Sequence, residues 1–407
     1  MRSNYRRLGD YIQELKFRNT EEKTEQLLGI NIDKFFMPSV ANVVGTDLSV
    51  YKLVRKNQFA CNRMHVGRDY RLPISMSKAE NEFMVSPAYD VFEIKDTAVL
   101  NPEFLMMWFS RKEFDRNAWF YTDADVRGGL PWKSFSDMQL PVPHPDKQRE
   151  IVKEYNVIQD RIALNQQLIQ KLEETAKTIY REWFVEFEFP DENGKPYKSN
   201  GGEMVWCEEL DRDIPKGWEV VSIKDFCFEM KSGGTPSRDN INYWNSRDIP
   251  WLKTGEVCNR VLIASEEYIS FEGCKNSSAK ILPVNTVLIA MYGEGKTKGQ
   301  AGYLRFEATI NQACCAMICE NEHHSTFLYY YLRTNQAQIA SLANGGAQPN
   351  LSKEIIGNIR IIKPLLNDIK KHHLMKFIDY CEGLEKENLK LTEMKELLLS
   401  RLAKIES

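Results

Sequence analysis

Ala290-Met291-Tyr292-Gly293-Glu294-Gly295-Lys296-Thr297 has the spacing of a relaxed phosphate loop: a small residue, four of any kind, then Gly-Lys-Thr. It follows an apolar run that reads as a strand. A working loop of this kind must open a helix, whose free N–H groups take the phosphates. Here Lys298-Gly299-Gln300-Ala301-Gly302 comes next, with glycines where the helix should begin. The stretch therefore reads as a tight glycine-rich turn between strands. A nucleotide-binding enzyme using Gly295, Lys296 and Thr297 is kept as an alternative, and nucleotide binding lost on Lys296→Ala would support it.

Asn101-Pro102-Glu103-Phe104 departs in its third residue from the Asn-Pro-Pro-Phe motif of adenine methyltransferases, and no Gly-x-Gly cofactor loop precedes it. Proline in the first turn of a helix accounts for it. No Ser/His/Asp grouping, carboxylate pair or nuclease-like acidic cluster stands out. The nine cysteines are scattered, with no Cys-x-x-Cys. His323-His324 and His372-His373 lack zinc-ligand spacing. The chain is expected to carry no catalytic site, no metal and no cofactor of its own. Its cysteines are expected to be reduced thiols in a cytoplasmic protein.

What remains are basic, aromatic and glycine-bearing loops. Between residues 50 and 80, seven Lys or Arg side chains face only Asp69 and Glu80. Arg55, Lys56, Arg63, Arg68 and Arg71 are candidates there, joined by Arg127 and Lys133. Later, Lys231, Thr235, Arg238, Tyr243, Lys253, Tyr292, Lys296, Lys298, Gln348 and Asn350 fall in loop-like stretches. Arg and Lys can bind phosphates or reach guanine edges, and Asn and Gln can pair with adenine. Each of these residues taken alone is also what a solvated surface looks like. The net charge of −3 gives no global attraction for nucleic acid, so a DNA-binding role rests on these local groups.

Two long helices must position these loops. From Lys147 to Val185, apolar residues recur with the 4-3 spacing of a heptad seam: Ile151, Tyr155, Ile158, Ile162, Ile169, Leu172, Ala176, Ile179 and Trp183. Only Asn165 breaks it. From Asp368 to Ile405 a second seam carries Leu374, Phe377, Cys381, Leu384, Leu391, Leu398, Leu402 and Ile405, interrupted by Asn388 and Lys395. Set antiparallel with Asn165 opposite Asn388, Ile151 meets Leu402, Tyr155 meets Leu398, Ile162 meets Leu391, Ile169 meets Leu384, Leu172 meets Cys381 and Ile179 meets Leu374. A buried polar pair fixes register at some cost in stability. Between 146 and 190 seven basic residues stand against nine acidic ones. That helix reads as a spacer and a docking face for protein, not for phosphates.

The chain divides into a first unit (1–145), a central spacer helix (146–189), a linker or surface hairpin (190–213), a second unit (214–366) and a C-terminal spacer helix (367–407). The two units are distant repeats. Asn57 matches Asn285 ahead of an apolar strand, Phe104 to Phe109 matches Phe327 to Leu332, Gly128-Gly129 matches Gly345-Gly346, and Pro143 matches Pro364. The expected fold is α+β: two globular α/β units joined by two long antiparallel coiled-coil helices, with pseudo-twofold symmetry. At 43% hydrophobic and 27% charged the composition is globular. No apolar run approaches a membrane span and no signal peptide is read at the start.

The passage Ile214-Pro215-Lys216-Gly217-Trp218, followed by Lys231-Ser232-Gly233-Gly234-Thr235-Pro236-Ser237, Trp244, and Ile249-Pro250-Trp251-Leu252-Lys253-Thr254-Gly255-Glu256-Val257, is very like the opening of a target recognition domain in the specificity subunits of Type I restriction–modification systems. Asn350-Leu351-Ser352, Pro131 to Phe135 and Gln148 to Ile151 extend the resemblance over nearly the whole chain, while residues 20 to 100 are only loosely similar. The resemblance implies two target recognition domains, each reading one half of a split, asymmetric DNA sequence, and two helices that act as a ruler for the unread spacer. It implies two docked modification subunits that bind S-adenosylmethionine and methylate adenine, and restriction subunits that complete the endonuclease. S-adenosylmethionine, ATP and Mg are then expected on those partners, and no active site on this chain. A coiled-coil scaffold with no DNA role is the other alternative. Salt-sensitive DNA binding by the assembled complex separates the two.

Overall fold

The computed structural model describes residues 5–21, 24–39, 45–64, 66–122, 128–293, 297–343, 349–371 and 373–404. The chain forms two compact units, Met1–Ile162 with Lys390–Ser407, and Ala163–Leu389.

The first unit is built on an antiparallel sheet in the order Ile12–Leu15, Asp90–Ile94, Phe59–Cys61, Ile74–Met76. Phe59–Cys61 and Ile74–Met76 are buried on both faces, whereas the edge strand Ile12–Leu15 leaves Gln13 and Glu14 exposed. Phe59, Cys61, Phe92 and Ile74 point toward the helices Pro102–Phe109 and Trp132–Asp137. Ala60, Val91 and Leu15 point the other way, onto Val54, Phe83 and Val85. Asn101 caps the first of these helices, its Oδ1 accepting from the N–H of Glu103 at 2.8 Å and of Phe104 at 3.1 Å. The Asn-Pro-Glu-Phe stretch is thus a helix start. A second helix, Lys112–Phe120, follows after Arg111 turns extended.

The second unit repeats this frame. Its sheet runs Glu229–Ser232, Cys314–Ile318, Val287–Ala290, Ala301–Leu304, with Arg260–Leu262 added in parallel at the edge. Val287, Ile289, Cys315, Met317 and Tyr303 share a core with the helix Glu322–Thr334, while Leu288, Cys314, Ala316 and Leu304 form a second core with Leu252 and Leu282. The matched asparagines take the same backbone: Asn57 and Asn285 both have φ 65°. Their N–H groups donate to the carbonyls of Ser77 (2.8 Å) and Leu304 (2.7 Å). In each unit an early strand pairs with the last, Tyr5–Arg7 with Gln139–Pro141 and Glu219–Ser222 with Arg360–Lys363. Val287–Ala290 and Ala301–Leu304 pair antiparallel, with Gly299 at φ 77° in the turn. A strand therefore stands where a phosphate loop needs a helix. Glu294, Gly295 and Lys296 lie outside the described residues.

The central helix is Pro145–Phe184. Asn165 Nδ2 donates to Asn388 Oδ1 at 3.0 Å, and both residues are buried. In the second unit Ile169, Leu172, Ala176 and Ile179 share a core with Leu374, Ile378 and Cys381. In the first, Ile151 and Tyr155 share one with Leu399 and Leu402. The asparagine pairing expected from the two seams is therefore present, while Leu399, not the expected Leu398, stands in the core with Tyr155. The second seam does not start at Asp368, however. Leu366–Lys371 is a short helix of its own, with Ile369 in the core of the unit. His373 at φ 53° breaks the chain before Leu374–Arg401, since a helix does not pass through the left-handed region. Ile405 lies outside the described residues. The stretch 190–213 is a hairpin, Met204–Cys207 on Arg212–Pro215, and Tyr197 just before it stacks on Phe189 at 4.6 Å.

Each unit also holds its helices through an ion pair. In the second, Arg333 Nη1 meets Glu173 Oε2 at 2.6 Å with side chains only 8% and 9% exposed, and it also donates to the Tyr329 hydroxyl at 2.6 Å. Burial pushes the Glu173 carboxyl above its ordinary range, and Arg333 pulls against that shift. In the first, Lys112 meets Glu396 at 3.0 Å with side chains 78% and 56% exposed, beside an open cavity of about 940 Å³. Among the described residues no helix is long and apolar enough to cross a membrane.

Candidate nucleic-acid interface

The second unit gathers most of its candidates at one end of its sheet. Ser232 pairs with Cys315 and Ala290 with Cys314, so the loops after Ser232 and Ala290 and the loop before Cys314 emerge together. Leu252 ends beside Ile310, and the N–H of Asn311 donates to the carbonyl of Leu252 at 3.0 Å, which brings Lys253 and Thr254 to the same place. The paired glycines are needed for this closeness. A Cβ on Gly233 would lie 2.1 Å from the Asn311 carbonyl oxygen, and one on Gly234 2.2 Å from Ser278 Oγ. Trp251 and Trp244 then pin the loop, their indole N–H groups donating to the carbonyls of Gly234 (2.9 Å) and Ser237 (3.0 Å).

The polar groups on this end are already oriented. Thr235 Oγ1 donates to Gln312 Oε1, and Thr254 Oγ1 to Asn311 Oδ1 at 3.0 Å. The Arg238 guanidinium lies 3.5 Å from the Trp244 ring centroid and meets Glu267 at 2.6 Å. Lys253 meets Glu266 at 3.0 Å and Glu267 at 3.1 Å. Hydrogen bonds to those two carboxylates raise the Lys253 ammonium above its ordinary value. Burial raises Glu267, but Arg238 and Lys253 outweigh it and leave the carboxyl lowered. Lys298 Nζ donates to the carbonyl of Pro349, and Leu351 N–H to that of Met291 at 3.1 Å, which sets Asn350 beside exposed Tyr292. Lys231 stays on its strand, paired with Glu229 at 2.8 Å. Tyr243 packs against Gly273, its hydroxyl accepting from Asn276 at 3.3 Å. Lys296 and Gln348 lie outside the described residues.

The chain matches the Type I restriction modification DNA specificity domain over residues 215–394. It is 24% identical over 426 residues to the Type I restriction enzyme HindI specificity subunit of Haemophilus influenzae, across 91% of each chain. Along nearly its whole length this chain is similar to the specificity subunits of Type I restriction–modification systems. It is also 25% identical over 287 residues to the MjaIX specificity subunit of Methanocaldococcus jannaschii, covering 68% of this chain and 64% of that one. The crystal structure of the Type I S subunit from M. genitalium has the same fold, with a TM-score of 0.54 at 14% identity over 99% of this chain and 96% of that one.

The first unit treats its candidates differently. Arg55 pairs with Glu82 at 3.0 Å and Lys56 with Glu80, both at the end of the sheet opposite to Arg63, Arg68 and Arg71. Arg63 is half-buried. It meets Asp90 at 2.6 Å, donates to the carbonyl of Leu130 and lies over Trp132 at 5.5 Å. It ties the frame together and offers no free cation. Arg68 pairs with Asp69 at 2.7 Å, and Arg71 with Asp33 at 2.8 Å. Lys133 pairs loosely with Asp137 at 3.7 Å. The unopposed basic face expected between residues 50 and 80 is therefore absent, because Asp33, Glu82 and Asp90 come in from outside that window. Arg127 lies outside the described residues. Sequence reasoning missed Asn311, Gln312, Thr254 and Glu267. Two adjacent amides directly ahead of the buried strand Cys314–Ile318 were the available signal.

Proposed function

We propose that this specificity subunit reads a bipartite, asymmetric DNA sequence, each recognition unit taking one half-site with the loops at one end of its sheet. The observation that carries this reading is the frame built twice in one chain with different loops on it. A repeated scaffold with unlike edges suits two unlike half-sites. In the second unit Thr235, Gln312, Asn350, Arg238 and Lys253 supply donors and acceptors of the kinds that pair with base edges and phosphates. Glu267 holds Arg238 and Lys253 until phosphate oxygens replace it.

The helix pair, with its register set by Asn165 and Asn388, would hold the unread gap. Two modification subunits would dock on the helices, and restriction subunits would join them. In the second unit's part of the helices, Leu164, Leu168 and Leu389 remain exposed beside the filled seam, as a protein docking face requires. Methylation of adenine, or cleavage, would then be the work of those partners, with S-adenosylmethionine, ATP and Mg held by them and working in the cytoplasm.

Co-expression with cognate modification subunits and mapping of methylated adenines in host DNA tests this. One bipartite motif with a fixed gap is expected. Exchange of residues 210–366 for another such domain should change one half of the motif only. A continuous motif, or a stable complex that methylates nothing, would refute the reading.

A further inference from the structure

The loop after the strand that follows the matched asparagine holds the corresponding position in both units but carries opposite chemistry. In the second unit it is Met291 to Gln300, and it rests on the short helix Gln336–Ser341. The contact is polar: Gln336 Nε2 donates to the Lys298 carbonyl at 3.5 Å, and Gly299 lies against the Gln336 carbonyl. In the first unit the same loop runs from Asn62 to Pro73 and rests on the helix Lys112–Phe120. Its anchor is a glycine pair. Gly67 N–H donates to the Gly128 carbonyl at 2.8 Å, and a Cβ on either residue would come within 2.8 Å of the other's Cα. What the loop then presents is aromatic. Tyr70 is 62% exposed, and its ring meets that of Trp119, 45% exposed, edge to face at 5.3 Å. Phe120 follows at 77% exposed. Tyr70 has φ 57°, an uncommon conformation for a bulky side chain, and its N–H is held by the Val66 carbonyl at 2.8 Å.

We infer that Tyr70 and Trp119 form a stacking platform for a nucleobase, so that the first unit holds its half-site with one base step opened while the second reads through polar contacts. The inference rests on the recognition reading above. It commits to duplex DNA because the platform continues the sheet end at which Arg68 and Arg71 sit, the counterpart of the second unit's polar end. Aromatic faces that meet water on a polar edge suit a base, whose stacking on them is indifferent to sequence. Side chains of this kind unstack a step by wedging between bases.

The test uses the complex assembled with its modification subunits and duplexes carrying 2-aminopurine at successive positions of the methylated site. The wild-type complex should raise the fluorescence at one position of the half-site assigned to the first unit. Tyr70→Ala and Trp119→Ala should each remove that rise and weaken binding roughly 5- to 150-fold. Trp119→Phe should keep both. The slope of log affinity against log salt should stay the same in all variants, since no phosphate contact is removed. Alanine variants with unchanged fluorescence and affinity overturn the inference. Variants that no longer assemble with the modification subunits also overturn it, and assign the patch to a protein partner. A wild-type complex that binds no DNA refutes the recognition reading itself, a failure distinct from these.

Discussion

The two units answer the same structural problem with different chemistry. Glu173 and Glu396 each lie eight residues beyond their helix's buried asparagine. In the second unit that glutamate is buried against Arg333 and Tyr329. In the first it is exposed and meets Lys112 at the rim of a cavity. A buried pair fails badly when one partner is removed, whereas an exposed pair holds little. The second unit therefore has a joint that fixes one geometry, and the first has a joint that leaves side chains room to move.

The largest test of that contrast is Arg333→Ala. It leaves the Glu173 carboxylate buried and unpaired, and should destabilise the protein by about 3–5 kcal/mol in urea denaturation. A loss under 1 kcal/mol would show that the joint is solvated. Asn165→Leu comes next. Asn388 then loses a partner in an apolar seam, at about 1–3 kcal/mol, with disturbed assembly. Unchanged solution shape and partner binding would count against the paired-asparagine register.

The matched turns sharpen the comparison. Asn57→Ala and Asn285→Ala should each cost roughly 1–2 kcal/mol because alanine resists φ 65°. Asn285→Ala should cost more, since Asn285 Oδ1 also accepts from Arg305 at 3.0 Å. Arg305 in turn meets Asp379 and Glu382 of the C-terminal helix. Equal losses would mean that this extra link contributes nothing.

One pH effect should come from the second unit. Burial holds the His324 imidazole below its ordinary value of 6.5. The unfolded chain therefore takes up a proton first as pH falls, and stability should decline below about pH 6.5. His324→Gln should flatten that decline, and an unchanged pH profile would assign it to other groups. The smallest effect is expected from Lys112→Ala, within roughly 0–1 kcal/mol. A loss comparable to that of Arg333→Ala would erase the distinction between the joints.

The helix register was legible because heptad spacing is local and each seam has an asparagine to align. The repeat was legible for a similar reason: a turn asparagine before an apolar strand, and a Phe-rich helix after it, keep their order. The charge pattern was not. Arg333 finds Glu173 across 160 residues and Arg71 finds Asp33 across 38, so no sequence window could have balanced them. The interface was half legible. Gly233-Gly234 marked a close approach, but what approaches is Asn311, just past the strand Thr309–Ile310, and Ser278, in the bend after the helix Phe271–Lys275, which the pattern of apolar residues alone does not bring side by side. The break at His373 falls just before Leu374, the first apolar residue of the second seam; Ile369, five residues earlier, is off the 4-3 spacing and packs in the core of its unit.

The Asn165–Asn388 pair also has a consequence in time. Its two members are 223 residues apart in the chain. At about 5–20 residues per second, a ribosome needs roughly 10–45 seconds to make the second after the first. For that interval the finished central helix presents a bare apolar stripe to whatever surrounds it. The newborn chain is then a natural client for a chaperone.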